Sequence, residues 1–437
     1  MANKKRILIL FTKYRFSIRN TVNESIYCFK KHITDTEFYY YNAYFGIPLN
    51  FKYLKFDAVI LHYTFLAVRF FDNPDIWDFQ IKNLNQISGY KIAIPQDEYD
   101  DTDKLCNLFK KCSIDTIFTC FNYEDWKKAY PPEKCSIKYF YHVFTGYIDD
   151  NVIETFKKKY LSHKNRKIDI AYRARKLPYW FGKHGQNKYE IAEKIKQAVK
   201  TLPLNVDIST DSSKVFYGKN WYDFIQDSRI VLGCEGGSSI LDSTGEIKSA
   251  VIKYMKTKPD ASFDEVEKAC FSGRDFYINC FALSPRHFEC VLTRTCQILL
   301  EGNYEGIFKS GIDYIELKKD YSNIKEVLTL ARNIDYCEQI AENAYKNIAL
   351  SGQYTYRKFS HMVFEHINNH ITPNELNFLN RIKFILFKIY LSLHEIKITT
   401  NFIKLKLMFY IRKPYELKKS SKFQKIKKYI LFKFCMK

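Results

Sequence analysis

The chain has 437 residues, 46% hydrophobic and 17% aromatic, and its 69 Lys and Arg against 48 Asp and Glu give a formal charge of +21. That length exceeds one ordinary core and calls for two domains of about 150–200 residues plus an appendage. The 12 cysteines form no Cys-x-x-Cys pair and no Cys/His cluster, which argues against a zinc site and against a disulfide-stapled extracellular fold.

In chain order, the opening Met-Ala-Asn-Lys-Lys-Arg-Ile-Leu-Ile-Leu-Phe reads as a first strand, because its apolar run is too short for a signal peptide. Short apolar runs at 7–11, 38–41, 58–62, 91–95 and 116–119 alternate with polar stretches of helical character, the pattern of a parallel sheet covered by helices. Past Asp149-Asp150-Asn151 and a lysine run at 157–159, a second series follows at 168–172, 206–209, 229–233, 276–281 and 297–300. A mostly helical excursion occupies about 244–272, and consecutive helices fill 322–369. The expected fold class is therefore α/β, with two Rossmann-like domains facing a cleft at 1–155 and 156–350, closing helices at 351–375 and a tail at 376–437. No run of about 18 uncharged apolar residues is present to span a membrane.

Ligands of open α/β sheets bind at the carboxyl ends of strands, so the residues that follow strands are the candidates for chemistry. Arg173, Arg175 and Lys188 follow the run at 168–172, in a stretch where Gly182 and Gly185 let backbone approach a pyrophosphate. That stretch reads either as a leaving-group clamp or as a solvated basic loop. After 229–233 come Glu235, Gly236, Gly237 and Ser238. Paired glycines permit close ligand approach, and Glu235 could bind sugar hydroxyls or supply a catalytic carboxylate beside Asp97 and Glu98, although the spacing fits neither a dinucleotide fingerprint nor a P-loop, and a plain turn reads equally well. Asp97 and Glu98 follow 91–95. Either is placed to be a general base toward an acceptor hydroxyl, or to cap the helix expected near Asp101. His62 also ends a strand, where a structural, hydrogen-bonded role is the commoner one.

The most informative stretch is Ser284-Pro-Arg-His-Phe-Glu289, followed by a helix and the strand ending at Glu301. Ser284 can cap a helix whose first residue is Pro285. Arg286 and Glu289, three apart, share a face beside an N-terminus that attracts phosphate, while Phe288 and Leu292 form an apolar stripe. Glu289 could instead serve only the helix dipole.

With these residues assembled, the chain resembles bacterial glycosyltransferases of the two-Rossmann GT-B type, near the group-1 and CgeB-like transferases, over about residues 1–370. Arg286-His-Phe-Glu289 and the segment to Glu301 are similar to that family's Arg-x-Phe-Glu-Ala-x-Ala-x-Gly-Thr. The resemblance implies that Glu289 binds the ribose of a nucleotide-sugar donor and that Arg173, Arg175 and Lys188 hold its phosphates. It also implies a metal-independent transfer with no cofactor beyond the donor substrate. Two departures stand out: classical retaining members carry a further glutamate where this chain has Phe281, and the family's Gly-Thr is replaced around Thr295-Cys296.

Residues 376–437 hold 16 Lys/Arg against Glu395 and Glu416, and so carry +14 of the total. Interleaved with apolar residues, they suit a basic amphipathic helix lying on an anionic membrane surface, or a solvated extension. The body has no matching basic cluster, which argues against a nucleic-acid partner. The sequence thus points to a cytosolic, membrane-peripheral transferase that moves a sugar to a glycan or lipid-linked acceptor in cell-surface polysaccharide or lipopolysaccharide assembly. The alternative is a non-catalytic nucleotide-sugar-binding or scaffold protein of the same fold.

Overall fold

The computed structural model describes residues 4–13 and 19–411. The N-terminal sheet contains β1 (Lys5–Phe11), β2 (Thr36–Asn42), β3 (Ala58–His62), β4 (Tyr90–Ile94), β5 (Thr116–Thr119) and β6 (Tyr139–His142). All six are parallel, in the order β2-β1-β3-β4-β5-β6. Its central strands are buried along their whole length, as Ala58-Val-Ile-Leu-His62 shows. Continuous apolar runs are what a parallel sheet covered on both faces requires.

Alternate residues of those strands serve opposite cores, because side chains in a strand alternate faces. Ile7, Ile9, Ile60 and Ile92 pack with Phe29 and, from the far end of the chain, Phe359, Val363 and Ile367. Leu8, Leu10, Val59 and Leu61 share the other core with Leu105, Phe109, Phe384 and Phe387. The helix Tyr356–His370 thus returns to the N-terminal domain after the second domain is complete.

The second domain holds β7 (Ile168–Arg173), β8 (Val206–Ser209), β9 (Ser228–Gly233), β10 (Gly236–Ser238), β11 (Cys280–Ala282), β12 (Cys296–Leu300) and β13 (Ile315–Leu317). Five of these form a parallel sheet in the order β13-β12-β9-β7-β8, and β10 pairs antiparallel with β11 outside it. Both large sheets reverse direction beside their first strand, and such switch points open a crevice at the strands' carboxyl ends. Two Rossmann-like domains face each other across that cleft, the arrangement described as GT-B.

The chain crosses between domains twice, and the crossings are bonded together: the Ile148 amide donates to the Tyr354 carbonyl at 2.8 Å and the Tyr356 amide to the Ile148 carbonyl at 2.9 Å. The excursion between β10 and β11, with helices Glu246–Thr257 and Phe263–Cys270, reaches back to the N-terminal domain. Asp101 N donates to the Asp242 carbonyl, Asp242 N to that of Tyr99, and the Lys248 ammonium lies 3.2 Å from Asp100.

Two sequence expectations change here. The strand expected at 276–281 shrinks to Cys280–Ala282 and leaves the main sheet. Its earlier residues serve the domain junction instead, the Tyr277 carbonyl accepting from Lys128 and the Asn279 amide donating to Asp125. The tail expected at 376–437 begins as the 34-residue helix Phe378–Ile411, with Phe384, Phe387, Ile398 and Phe402 buried; the basic stretch 412–437 lies outside the described residues. No described helix is long and apolar enough to cross a membrane.

Candidate nucleotide-sugar site

A cavity of about 260 Å³ opens at the switch point of the second domain, between the carboxyl ends of β7 and β9, and its lining reaches the first domain through Arg19, Asn20 and Thr21. Two helices start at its wall. Helix Asn20–His32 follows Arg19, and helix Pro285–Leu292 follows Ser284; neither preceding residue makes a side-chain capping bond. Ser284 therefore precedes the helix as expected but does not cap it; Pro285 has no amide proton and the His287 amide donates to the Ser284 carbonyl, so the Arg286 amide is the one left without a bond within this turn. Helix N-termini with free amides attract anions through both the N–H groups and the dipole.

Cations line the same space. Lys188 projects from helix Gly182–Ala198 and has no ion pair or hydrogen bond among the described residues; burial lowers its pKa, and the charge of Asp97 across the cleft partly offsets this. Its ammonium would lie 3.7 Å from a side chain placed at Gly236, an ordinary contact. Arg286 sits over the rings of Tyr172 and Trp221 at 5.2 and 5.5 Å and donates to the Arg173 carbonyl, yet its Nε is buried without a hydrogen-bond partner. Arg175 and Arg19 are exposed at the rim. An unpaired cation kept out of water is costly unless an anion joins it.

Glu289 shares this pocket. Its carboxylate accepts from the Trp221 indole at 2.7 Å, and burial raises its pKa, with the Trp221 bond and Arg286 opposing. One oxygen is held and the other can accept from a ligand hydroxyl. The remaining expected residues fall elsewhere. Arg173 is committed to protein: its guanidinium bonds the carbonyls of Tyr172, Asp207 and Lys214 and the Asp207 carboxylate, and lies over Phe216 and Phe224. Ser238 is fully buried, closing a turn onto Ile240. Gly237, at φ +94°, could not carry a side chain without overlapping the Cys280 carbonyl oxygen. Glu235 accepts from the Tyr304 amide at 2.8 Å and anchors the turn after β12.

Asp97 and Glu98 are neighbours with opposite surroundings. Glu98 is 1% exposed and accepts from Thr119, the Cys120 amide and Tyr130; burial pushes its pKa up to about 7. Asp97 is exposed to the cleft at φ 52°, its carboxylate accepting only from Tyr99 among the described residues. A left-handed aspartate at a strand end is a strained conformation held by its surroundings. The holder is Arg69, fully buried, whose guanidinium bonds the carbonyls of Leu66, Gln96, Asp97 and Asp100. His62 is structural: it bonds Ser25 and Thr64, and burial lowers its pKa to about 3.

Sequence reading missed two pocket residues and one pair that bridges the cleft away from the pocket lining. Arg19 and Trp221 belong to the pocket only because distant segments meet there. Glu305 and His142 face each other across the cleft at 3.5 Å, and burial pushes the Glu305 carboxyl up to about 7. Tyr304, Glu305 and Gly306 are successive left-handed residues, a turn with no local signal beyond one glycine. Phe281, where the family resemblance asks for glutamate, stacks on His184 at 3.8 Å.

No protein-family model matches this chain, and no curated protein matches it. Among solved structures it is similar to an alpha-glucosyltransferase in complex with UDP-glucose and DNA containing an abasic site, at 12% identity and a TM-score of 0.46, over 84% of this chain and 100% of that one. The Anabaena Alr3699/HepE protein in complex with UDP-glucose aligns at 11% identity and 0.41, over 83% and 99%. Trehalose-6-phosphate synthase OtsA aligns at 9% and 0.46, over 85% and 100%.

Proposed function

We propose that this chain is a glycosyltransferase of the GT-B type that takes its sugar from a nucleoside-diphosphate sugar. The observation that carries the reading is the pairing of two cations that no carboxylate bridges among the described residues, Lys188 and Arg286, the latter with its Nε unbonded, with two helix starts that lack side-chain caps in one interdomain pocket. Such a set neutralises a leaving diphosphate without needing a metal ion, and the stabilisation grows as charge develops in the transition state. Glu289 takes the ribose hydroxyls, and Arg175 and Arg19 close the rim. Asp97, exposed in the cleft, takes the proton of the acceptor hydroxyl if the transfer inverts the anomeric centre. The acceptor is a glycan or glycolipid of cell-surface polysaccharide or lipopolysaccharide, reached by the protein from the inner face of the membrane, and CgeB-like transferases remain the proposed relatives.

The test is thermal stabilisation by a panel of UDP-, GDP- and other nucleotide sugars, since a ligand bound to the native state raises its apparent stability. At least one donor should raise Tm, and Lys188→Met and Arg286→Met should each weaken that donor by about tenfold or more. No response to any donor would sink the reading.

A further inference from the structure

The helix Phe378–Ile411 is apolar on two opposite sides. Phe384, Phe387, Ile398 and Phe402 are buried on one side, where Phe384 and Phe387 meet Tyr39, Phe51 and Phe56. Ile385, Ile389, Leu393, Ile396 and Ile403, spaced three, four and seven apart, make a second stripe facing away from the protein, widened by Leu379 and Leu386. These seven side chains are 48–61% exposed. At 1.5 Å per residue the stripe runs roughly 35–40 Å, far more contiguous apolar surface than a soluble monomer ordinarily leaves in water.

Charge decides what fits it. Arg381 and Lys388 border the stripe on one side, Lys397 and Lys404 on the other, all exposed. Lys388 has a partner in Glu37 at 3.5 Å. The helix's single acid, Glu395, lies toward the docked side beside Lys13. A second copy of this helix would offer apolar surface but add only more cations and the same single acid. An anionic bilayer surface satisfies both parts: acyl chains receive the apolar stripe while headgroup phosphates meet the borders.

We propose that this outward face is a docking surface for anionic phospholipid, lying in the interfacial plane. It sharpens the membrane location proposed above, and it stands independently of the donor pocket. Because the opposite face of the same helix is part of the N-terminal core, the contact fixes the domain's orientation on the bilayer, which a flexible basic tail could not do.

The experiment is cosedimentation of the full chain with phosphatidylcholine vesicles made with and without phosphatidylglycerol. Binding should require phosphatidylglycerol. The triple variant Ile385→Glu/Ile389→Glu/Ile396→Glu should lose at least about tenfold in affinity with Tm unchanged, since all three side chains are already in water. Arg381→Glu/Lys404→Glu should weaken binding and flatten its dependence on salt. Undiminished binding of the triple variant would overturn the proposal, as would equal binding to both vesicle types or a solution dimer that the triple variant dissolves. Donor-induced stabilisation of the same samples reads the nucleotide pocket separately, so failure of one reading does not imply failure of the other.

Discussion

Asp97 and Glu98 occupy adjacent positions, and no rule of spacing separates them; their surroundings do. Glu98 turns into the sheet, where Thr119, Cys120 and Tyr130 bond it, while Arg69 holds Asp97 outward through four carbonyls. Asp97→Asn is expected to lower turnover by roughly 10²–10⁴-fold, the range for a lost general base, with the donor's thermal shift unchanged; full activity in steady-state kinetics would remove Asp97 from the chemistry. Glu98 carries a pH prediction. Its folded pKa of about 7 exceeds the ordinary 4.5, so between those values the folded state keeps a proton the unfolded chain releases. Stability therefore falls as pH rises from 4.5 through 7, by about 3 kcal/mol from this group. Melting curves from pH 5 to 7.5 should slope downward for the wild type and less steeply for Glu98→Gln; Glu305, also near 7, retains part of the slope. At this scale the sequence could offer candidates such as Lys188, Arg286 and Glu289, but not tell a guanidinium with an unbonded Nε from the fully committed one of Arg173.

Among the elements, the long helix Phe378–Ile411 has a second role that its composition does not display. Its lysines and apolar residues mark a surface helix, yet Phe384, Phe387, Tyr390 and Leu391 pack on the core of the N-terminal sheet, and Ile398 and Phe402 on Tyr44. Truncation after Glu375 would strip Phe384, Phe387, Ile398 and Phe402 from buried positions, each worth about 2 kcal/mol. The truncated chain should melt at least about 10 °C lower by calorimetry; an unchanged Tm would mean that the docked face contributes nothing to the fold. Strands with continuous apolar runs, such as Ala58–His62 and Thr116–Thr119, were legible because a buried parallel strand needs no alternation. The edge strands Tyr139–His142 and Ile315–Leu317 were not, since runs of three or four residues are too short to show a period. The run 276–281 looked like a strand because aromatic residues favour strands, but Phe276 is left-handed and exposed and the segment's bonds go to Asp125 and Lys128 of the other domain.

For the molecule as a whole, the interdomain pocket belongs to neither domain alone. Donor binding should slow hydrogen exchange together in the first turn of helix Asn20–His32 and in residues 284–290, because both amide sets face one cavity; protection confined to the second domain would mean that Arg19 and its helix take no part. The sequence by itself determined the α/β class, the two successive strand series and the place of Arg286 and Glu289 in the first turns of one helix, because strand burial, helix starts and neighbouring positions on a helix are local properties written in periods of two to four residues. Only the tertiary structure decided that Arg19 and Trp221 join that pocket, that Arg173 and Glu98 are consumed by protein bonds, that Glu305 meets His142, and that the last helix roofs the first domain. Each of those outcomes depends on which groups from distant segments arrive to pair with, bury or expose a side chain, and that pairing is a property of the assembled fold.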